Sequence, residues 1–416
     1  MTLGAQATLG VYWDGREIGS LGRVSERSRD YTFSYTDTSR AISVSLPTVT
    51  GTFEPAPTRA FFEALLPEGR VREQVAAQLK LAAGDSFGLL AEIGGDCAGA
   101  LRIVEAERAS PAPSVAWLDE QELDQLIAEL PRHPLGMYGG DRHLRLSLAG
   151  VQEKAVLLRD SDGWFGKPLD GMASTHILKP ERAGGDYPGL AANEYFCMLL
   201  ATRCALNAAT LSLQSIAERP CLVVERFDRD ASSWPPRRIH QEDLCQALGL
   251  TPDFKYQHEG WRLPSYRALA ELLDAHSTVP GVDRLASALA TVFHYLVGNA
   301  DAHAKNVSFL YGDDGFRLAP LYDVVCTAAY SDLDTGLALG IGDEFDPEKI
   351  MSIHWADLAE DLGLSATAFQ RARGQLVERV VEQASVLHEQ ASRDGWHHEC
   401  LDRILDVIAE RALRIE

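Results

Sequence analysis

Residues 293–323 read FHYLVGNADAHAKNVSFLYGDDGFRLAPLYD. An apolar run with helical character ends in Asn299-Ala300-Asp301-Ala302-His303-Ala304-Lys305-Asn306. Two short strand-like segments follow around Gly312-Asp313-Asp314-Gly315, and the stretch closes on Asp323. An Asp, an Asn five residues on and a second Asp beyond a hairpin are the minimal apparatus of phosphoryl transfer. The first Asp can orient a substrate hydroxyl, while the Asn and the second Asp can hold Mg²⁺ against ATP phosphates. The Asp301–Asn306 spacing matches a kinase catalytic loop, H-R-D-x-x-x-x-N. His303 stands where ordinary protein kinases carry Lys, as in the D-R-H-x-x-N loop of lipid-type kinases, and could stabilise charge near the γ-phosphate. A polar helix-capping loop is the plain alternative. It is disfavoured because Asp323 follows a strand–turn–strand, as a DFG aspartate would, although the triplet here is Asp323-Val324-Val325.

Upstream lie the other parts of such a centre, in kinase order. Ser147-Leu148-Ala149-Gly150-Val151-Gln152-Glu153-Lys154 is a glycine turn between strand-like flanks. Gly150 adds no side chain, so backbone amides there can approach phosphates, although a lone Gly is more often a bulge. Lys179 ends the strand-like THILKP and can bridge phosphate oxygens as a point charge; alone it would read as an edge-strand lysine. Glu194 opens a helical segment and could pair with Lys179, place metal or simply favour the helix N-terminus. In LVVERFDR (222–229) the backbone near Glu225 and Phe227 could read adenine; a buried strand with a charged end is the alternative.

Working outward, 416 residues imply two or three domains. LGVYWDGREIGSLGRV (9–24) reads as a hairpin around Asp14-Gly15. TFSYTD and ISVSLP continue the strand character, and RAFFEALLPEGRVREQVAAQL reads as helix broken at Pro67. Arg108–Ser114, rich in Pro and Ser, is the expected linker. The pattern gives an N-terminal subdomain over 1–108, a region with phosphate loop and hinge over 109–230, and a helical region with the catalytic loop over 231–416. The seven scattered cysteines contain no CxxC pair, which predicts reduced, mostly buried thiols. His397-His398-Glu399-Cys400 lacks a second ligand cluster at a familiar spacing, so a solvated helix face is expected there. A net charge of −21 argues against direct grip on a phosphate backbone and suits a basic protein partner. No apolar run is long enough for a bilayer and MTLGAQATLGVYWDG lacks a signal-peptide pattern, so cytoplasmic residence is expected.

The strings LSLAGVQEKAVLL, THILKP, NEYFCMLLA, VERFDR, IHQEDLCQALG, GNADAHAKN and APLYDV occur in that order over about 145–325. With FFEALLPEGRVRE and FGLLAEIGGDCAGAL before them, the chain resembles a HipA-family serine/threonine kinase, the toxin of a bacterial type II toxin–antitoxin pair. The resemblance implies an α+β, protein-kinase-like two-lobed fold, with a small N-terminal α/β subdomain and a mostly helical C-terminal lobe. It implies Asp301 as catalytic aspartate, Asn306 and Asp323 as Mg²⁺ ligands and Lys179 as the ATP-contacting lysine. It also implies Glu225 and Phe227 as the adenine-side hinge, and Ala149, Gly150, Val151, Gln152, Glu153 and Lys154 as the phosphate loop. Ser147 matches the serine that such kinases autophosphorylate, and Gln241 matches a segment lining the active-site cleft. The implied partners are a small helix-turn-helix (HipB-like) antitoxin dimer, operator DNA mainly through that antitoxin, and an aminoacyl-tRNA synthetase substrate. Two readings compete with the kinase: a catalytically silent antitoxin partner and co-repressor, and a metal-dependent phosphohydrolase. The first leaves the full Lys179/Asp301/Asn306/Asp323 set without purpose, and the second leaves the glycine turn, lysine strand and hinge without one.

Overall fold

The computed structural model describes residues 8–25, 28–105, 112–136, 146–147, 152–182, 184–313 and 315–415. Ala149, Gly150 and Val151 of the expected phosphate loop, and most of the expected 108–114 linker, lie outside the described residues. The chain forms two compact units, Met1–Lys179 with Glu225–Pro252, and Pro180–Val224 with Asp253–Glu416.

The first unit begins with the hairpin that Asp14-Gly15 predicts. Strands β1 (Thr8–Trp13) and β2 (Arg16–Arg23) are joined by these two residues, whose φ values of 50° and 76° are those of a tight primed turn. β3 (Tyr31–Tyr35) and β4 (Thr52–Phe53) extend the sheet on one side and β5 (Leu101–Glu105) on the other, all antiparallel. Helix α1 (Pro55–Glu63) opens with proline, whose missing N–H would be unpaired there anyway, and buries Phe61 and Phe62. Phe62 meets Phe33 of β3 at 5.3 Å between ring centroids. Pro67 separates α1 from α2 (Gly69–Gln78), as the sequence pattern predicts, and α3 (Ser86–Ile93) is capped by the Asp85 carboxylate. ISVSLP, expected to be a strand, is instead a turn held by an isolated Ser43–Leu46 bridge. The buried Glu242 carboxylate draws the Ser43 hydroxyl (2.5 Å) and the Val44 N–H (3.2 Å), so these donors do not join a ladder. The alternation of Ile42 and Leu46 arises because both enter the core from the turn.

A second antiparallel array of this unit follows: β6 (Ser114–Trp117), helix α4 (Glu120–Glu129), β7 (Ala155–Arg159), β8 (Phe165–Leu169) and β9 (His176–Pro180), with strand order β9-β7-β8-β6. The chain then enters the second unit for α5 (Leu190–Arg203) and the hairpin β10 (Leu211–Ile216)–β11 (Arg219–Glu225). It returns to the first unit for β12 (Arg229–Asp230), β13 (Arg237–Arg238), β14 (His240–Asp243) and α6 (Leu244–Leu248). The returning segment is anchored by buried charge. Asp96 accepts from Arg229 at 2.9 Å and Arg238 at 2.8 Å, and lies 3.6 Å from Arg226. Asp228 pairs with Arg226 at 2.8 Å and takes the Gly99 N–H at 2.7 Å. Burial would raise the Asp96 carboxyl, but the three guanidiniums outweigh it and hold the group well below the usual carboxylate range.

The second unit is dominated by helices α7 (Tyr266–His276), α8 (Pro280–Val297), α9 (Ser352–Asp361), α10 (Ala366–Arg393) and α11 (Glu399–Ile415), with the hairpin β15 (Ser308–Gly312)–β16 (Gly315–Leu318) between α8 and α9. Tyr295 of α8 and Trp355 of α9 meet edge to face at 5.3 Å in its core. All seven cysteines are free and buried, as expected. Among the described residues no helix is long and apolar enough to cross a membrane.

Asp96→Ala leaves three guanidiniums facing one remaining carboxylate, and should cost about 3–5 kcal/mol, read as a lowered urea midpoint. The folded carboxyl of Asp96 lies below its unfolded value, so its contribution is present above roughly pH 4. That contribution is lost as pH falls through the folded value. The gap between wild type and variant should therefore shrink in acid.

Candidate active site

In the second unit, α8 stops at Gly298, which adopts φ 74°. A Cβ at this position would lie 2.8 Å from Val407 and 2.9 Å from Ala328, so both the backbone conformation and the space require glycine. The chain turns there into the segment bearing Asp301, and the Thr327 hydroxyl bridges that turn. Thr327 Oγ accepts the Ala300 N–H at 2.8 Å and donates to the Gly298 carbonyl at 3.0 Å. Asn299, buried, accepts the Asp301 N–H on Oδ1 at 3.0 Å. Ala338 N–H donates to the Ala300 carbonyl at 3.1 Å. The loop backbone is thus satisfied before any ligand arrives, which is what a preorganised site needs.

On this frame the Asp301 side chain is 54% exposed and accepts the Tyr256 hydroxyl at 2.6 Å. His303 is nearly buried; its Nε2 lies 4.0 Å from the Asp301 carboxylate and its ring meets Tyr256 edge to face at 5.2 Å. Asn306 donates from Nδ2 to the Asp301 carbonyl at 2.9 Å, which leaves Oδ1 as its ligand atom. Asp323 joins the group through its neighbour. The Tyr322 hydroxyl donates to the Lys305 carbonyl at 2.5 Å, so the Ser308 hydroxyl must donate to Tyr322 across their 2.7 Å contact. Asp323 itself is exposed and holds φ 57°, a left-handed conformation that costs a non-glycine residue energy and tends to persist at functional sites. Behind it, the buried Asn193 of α5 clasps Cys326 through both backbone groups, at 2.8 and 3.0 Å. An amide oxygen and a carboxylate are hard donors that suit Mg²⁺, so Asn306 and Asp323 fit that ion. Glu194 is buried on α5 in the same unit.

In the first unit, β7 and β9 pair Ala155 with Leu178. Lys154 lies just before β7 and Lys179 on β9, and both lysines are buried. Gln152 and Glu153, the two residues before Lys154, are half-buried. In Glu225-Arg226-Phe227-Asp228-Arg229 the side chains divide: Glu225 is exposed and Phe227 half-buried, while Arg226, Asp228 and Arg229 enter the ion cluster. Gln241 also reaches this cluster, donating to Asp228 at 3.2 Å. Ser147 is 1% exposed; its hydroxyl donates to the Leu65 carbonyl at 2.6 Å and its N–H to the Asp96 carbonyl at 3.0 Å.

The structure thus groups Asp301, His303, Asn306 and Asp323 in the second unit, and Lys154, Lys179, Glu225 and Phe227 in the first. Sequence reading missed Tyr256, which lies 45 residues before Asp301 and has no motif around it. It also missed Asp96, which stands in GGDCAGALRIVEAE, a stretch legible only for its strand character.

Fold and donor set together define an enzyme of the kinase class. Residues 9–104 match the model of the HipA N-terminal domain, and residues 146–384 match the HipA-like C-terminal domain. The putative kinase Y4mE of Sinorhizobium fredii is 38% identical, over 97% of either chain. The serine/threonine-protein kinase toxin HipA of Shewanella oneidensis is 30% identical over 80% of this chain and 78% of that protein. The solved Shewanella oneidensis HipA, in complex with HipB and operator DNA, superposes with a TM-score of 0.82 at 27% identity, covering 98% of this chain and 97% of that one. The chain belongs to the HipA family.

Thr327→Ala removes the hydroxyl shared by Ala300 and Gly298. The buried Ala300 N–H loses its partner while the Gly298 carbonyl keeps the Ala328 N–H, at an expected cost of about 1–3 kcal/mol in urea denaturation. Thr327→Ser keeps the hydroxyl and should restore most of the loss.

Proposed function

We propose that the protein is an ATP- and Mg²⁺-dependent serine/threonine-protein kinase acting as a growth-arresting toxin in the cytoplasm. The observation that carries this reading is the Asp301–Asn306 loop, closed by the Asn306 amide on the Asp301 carbonyl and joined through Tyr322 to Asp323. The relatives named as kinases, and the one named as a kinase toxin, support it.

In this reading residues 1–108 form the N-terminal subdomain, 109–230 carry the phosphate loop and hinge, and 231–416 carry the catalytic loop. Asp301 orients the attacking hydroxyl and accepts its proton, and His303 beside it bears on charge developing at the γ-phosphate. Asn306 and Asp323 hold Mg²⁺, which when bound neutralises charge on the phosphate oxygens. Lys179 contacts ATP phosphates. Residues 149–154 form the phosphate loop, and Glu225 and Phe227 meet the adenine.

Ser147 is the proposed autophosphorylation site. It is buried and bonded to Leu65, so its modification requires that the segment first leave this position. A phosphate there could not re-enter, because it adds nearly two negative charges to a closed site. The family resemblance supports an aminoacyl-tRNA synthetase as substrate. The relative solved with HipB and operator DNA supports a helix-turn-helix antitoxin dimer as partner. The net charge of −21 suits a basic partner of that kind, with DNA contact made mainly by the antitoxin.

The test is transfer of label from ATP to purified synthetases and to Ser147, followed by phosphopeptide mapping. Asp301→Ala should lose roughly 10²–10⁴-fold in kcat/KM. Asp323→Ala should abolish the Mg²⁺ dependence along with turnover, and Lys179→Ala should chiefly raise the KM for ATP. Equal transfer by wild type and Asp301→Ala would defeat the catalytic assignment. Absence of both transfer and Mg²⁺-dependent ATP binding would defeat the kinase reading.

A further inference from the structure

The turn between α10 and α11 brings together three metal-ligating groups remote from Asp301 in sequence and role. His388 lies near the end of α10, His397 in the turn and Asp402 in the first turn of α11. His388 Nε2 is 2.7 Å from Asp402 Oδ1, His397 Nε2 is 3.1 Å from the same oxygen, and the two Nε2 atoms are 3.3 Å apart. The imidazole planes are nearly perpendicular, at 89°, yet both rings direct Nε2 to one point.

These separations have a chemical meaning. Ligands bound tetrahedrally to Zn²⁺ at 2.0–2.1 Å stand about 3.3 Å from one another. The His–His separation equals that edge, and the two His–Asp separations are slightly shorter, as expected of a triangle closed by hydrogen bonds where no ion spreads it. Imidazole nitrogens with a carboxylate oxygen suit Zn²⁺ and its transition-metal neighbours and disfavour Mg²⁺, which prefers oxygen ligands; the tetrahedral edge length favours Zn²⁺.

The triangle is also held in place by its surroundings. Gly395, at φ 77°, reverses the chain after α10. The N–H groups of both Trp396 and His397 donate to the Ala391 carbonyl, at 3.0 and 3.1 Å. Trp396 packs edge to face on Tyr195 of α5 at 5.0 Å. Cys400, buried in the first turn of α11, donates to the Gly189 carbonyl. The backbone that presents His397 is therefore set by groups other than the ligands, and the site lies by the negative C-terminal end of the α10 dipole. His397 thus gains the companions that its own segment, HHEC, did not contain; they stand nine residues before it and five after.

We propose that His388, His397 and Asp402 form a Zn²⁺ site that cross-links α10 and α11, with a solvent molecule in the fourth position. All three side chains are partly exposed, which leaves that position open to solvent. Bound metal stiffens the start of α11. This helix reaches the loop frame, because Arg403 donates to the Ala329 carbonyl at 3.0 Å and Arg411 to the Tyr295 carbonyl at 2.6 Å. The site needs neither ATP nor turnover, so it stands apart from the kinase reading.

The experiment uses metal-stripped full-length protein with no histidine tag, in excess Mg²⁺ to occupy hard-oxygen sites, titrated with Co²⁺ and then Zn²⁺. Co²⁺ should give the intense visible bands of a tetrahedral nitrogen–oxygen site without thiolate charge transfer. These bands should saturate at one equivalent and bleach as Zn²⁺ displaces it, and Zn²⁺ should raise the melting temperature. His388→Ala with His397→Ala should lose the bands and the Zn²⁺-dependent rise while keeping the metal-free melting temperature. Should that double variant fail to fold, Asp402→Asn, close to isosteric, serves in its place, with loss of the bands expected again. Identical titrations for variant and wild type overturn the proposal. So does binding that saturates only at millimolar metal, or an octahedral spectrum.

Discussion

The Thr327 hydroxyl joins two stretches of chain that must be held together for the centre to exist. It takes the N–H of the residue before Asp301 and gives its hydrogen to the carbonyl where α8 ends, and it stands four residues after Asp323. With the Ala328 N–H on the same Gly298 carbonyl and the Tyr322 hydroxyl on the Lys305 carbonyl, this buried group ties the loop with Asp301 and Asn306 to the segment with Asp323. A charged or flexible linkage could not do this, since exposed ion pairs are screened and pay side-chain entropy. Neutral hydrogen bonds in a dry interior are short, directional and costly to break. Gly298 is the backbone counterpart of the same constraint, because α8 can only turn this sharply where Val407 and Ala328 leave no room for a Cβ.

The first unit uses the opposite device. There the returning segment 225–252 is held by three arginines and two aspartates, almost wholly buried. Such clusters rarely add stability over an apolar core, but once formed they penalise any other arrangement, because a displaced charge would remain buried without its counter-ion. The division of Glu225 through Arg229 into inward and outward side chains follows. Arg226 and Asp228 enter the ion cluster, while Glu225 is exposed and Phe227 half-buried.

Much of this was legible in the chain itself. The Asp301–Asn306 spacing and the hairpin leading to Asp323 are local, so their geometry follows from a few adjacent residues. The Asp14-Gly15 turn was legible because two consecutive positive φ values admit few other residue pairs. ISVSLP misled because alternation registers burial and not pairing, and a carboxylate 199 residues away took its donors. Tyr256 and Asp96 were invisible for a related reason: each acts through a partner supplied by tertiary contact, and neither lies in a distinctive string. HHEC looked incomplete because two of the three converging groups lie outside it.

Residue types and short spacings were settled by the sequence alone: which side chains could carry a proton, hold a hard cation or meet a phosphate, and which family the ordered strings resemble. The tertiary structure decided which of those groups meet. It closed Asn306 onto Asp301, buried Lys154 and Lys179, buried Ser147 against Leu65, and brought His388, His397 and Asp402 together at the α10–α11 turn. The physical reason is that hydrogen bonds and ligand bonds act over about 3 Å, whereas the residues that make them can stand any distance apart along the chain.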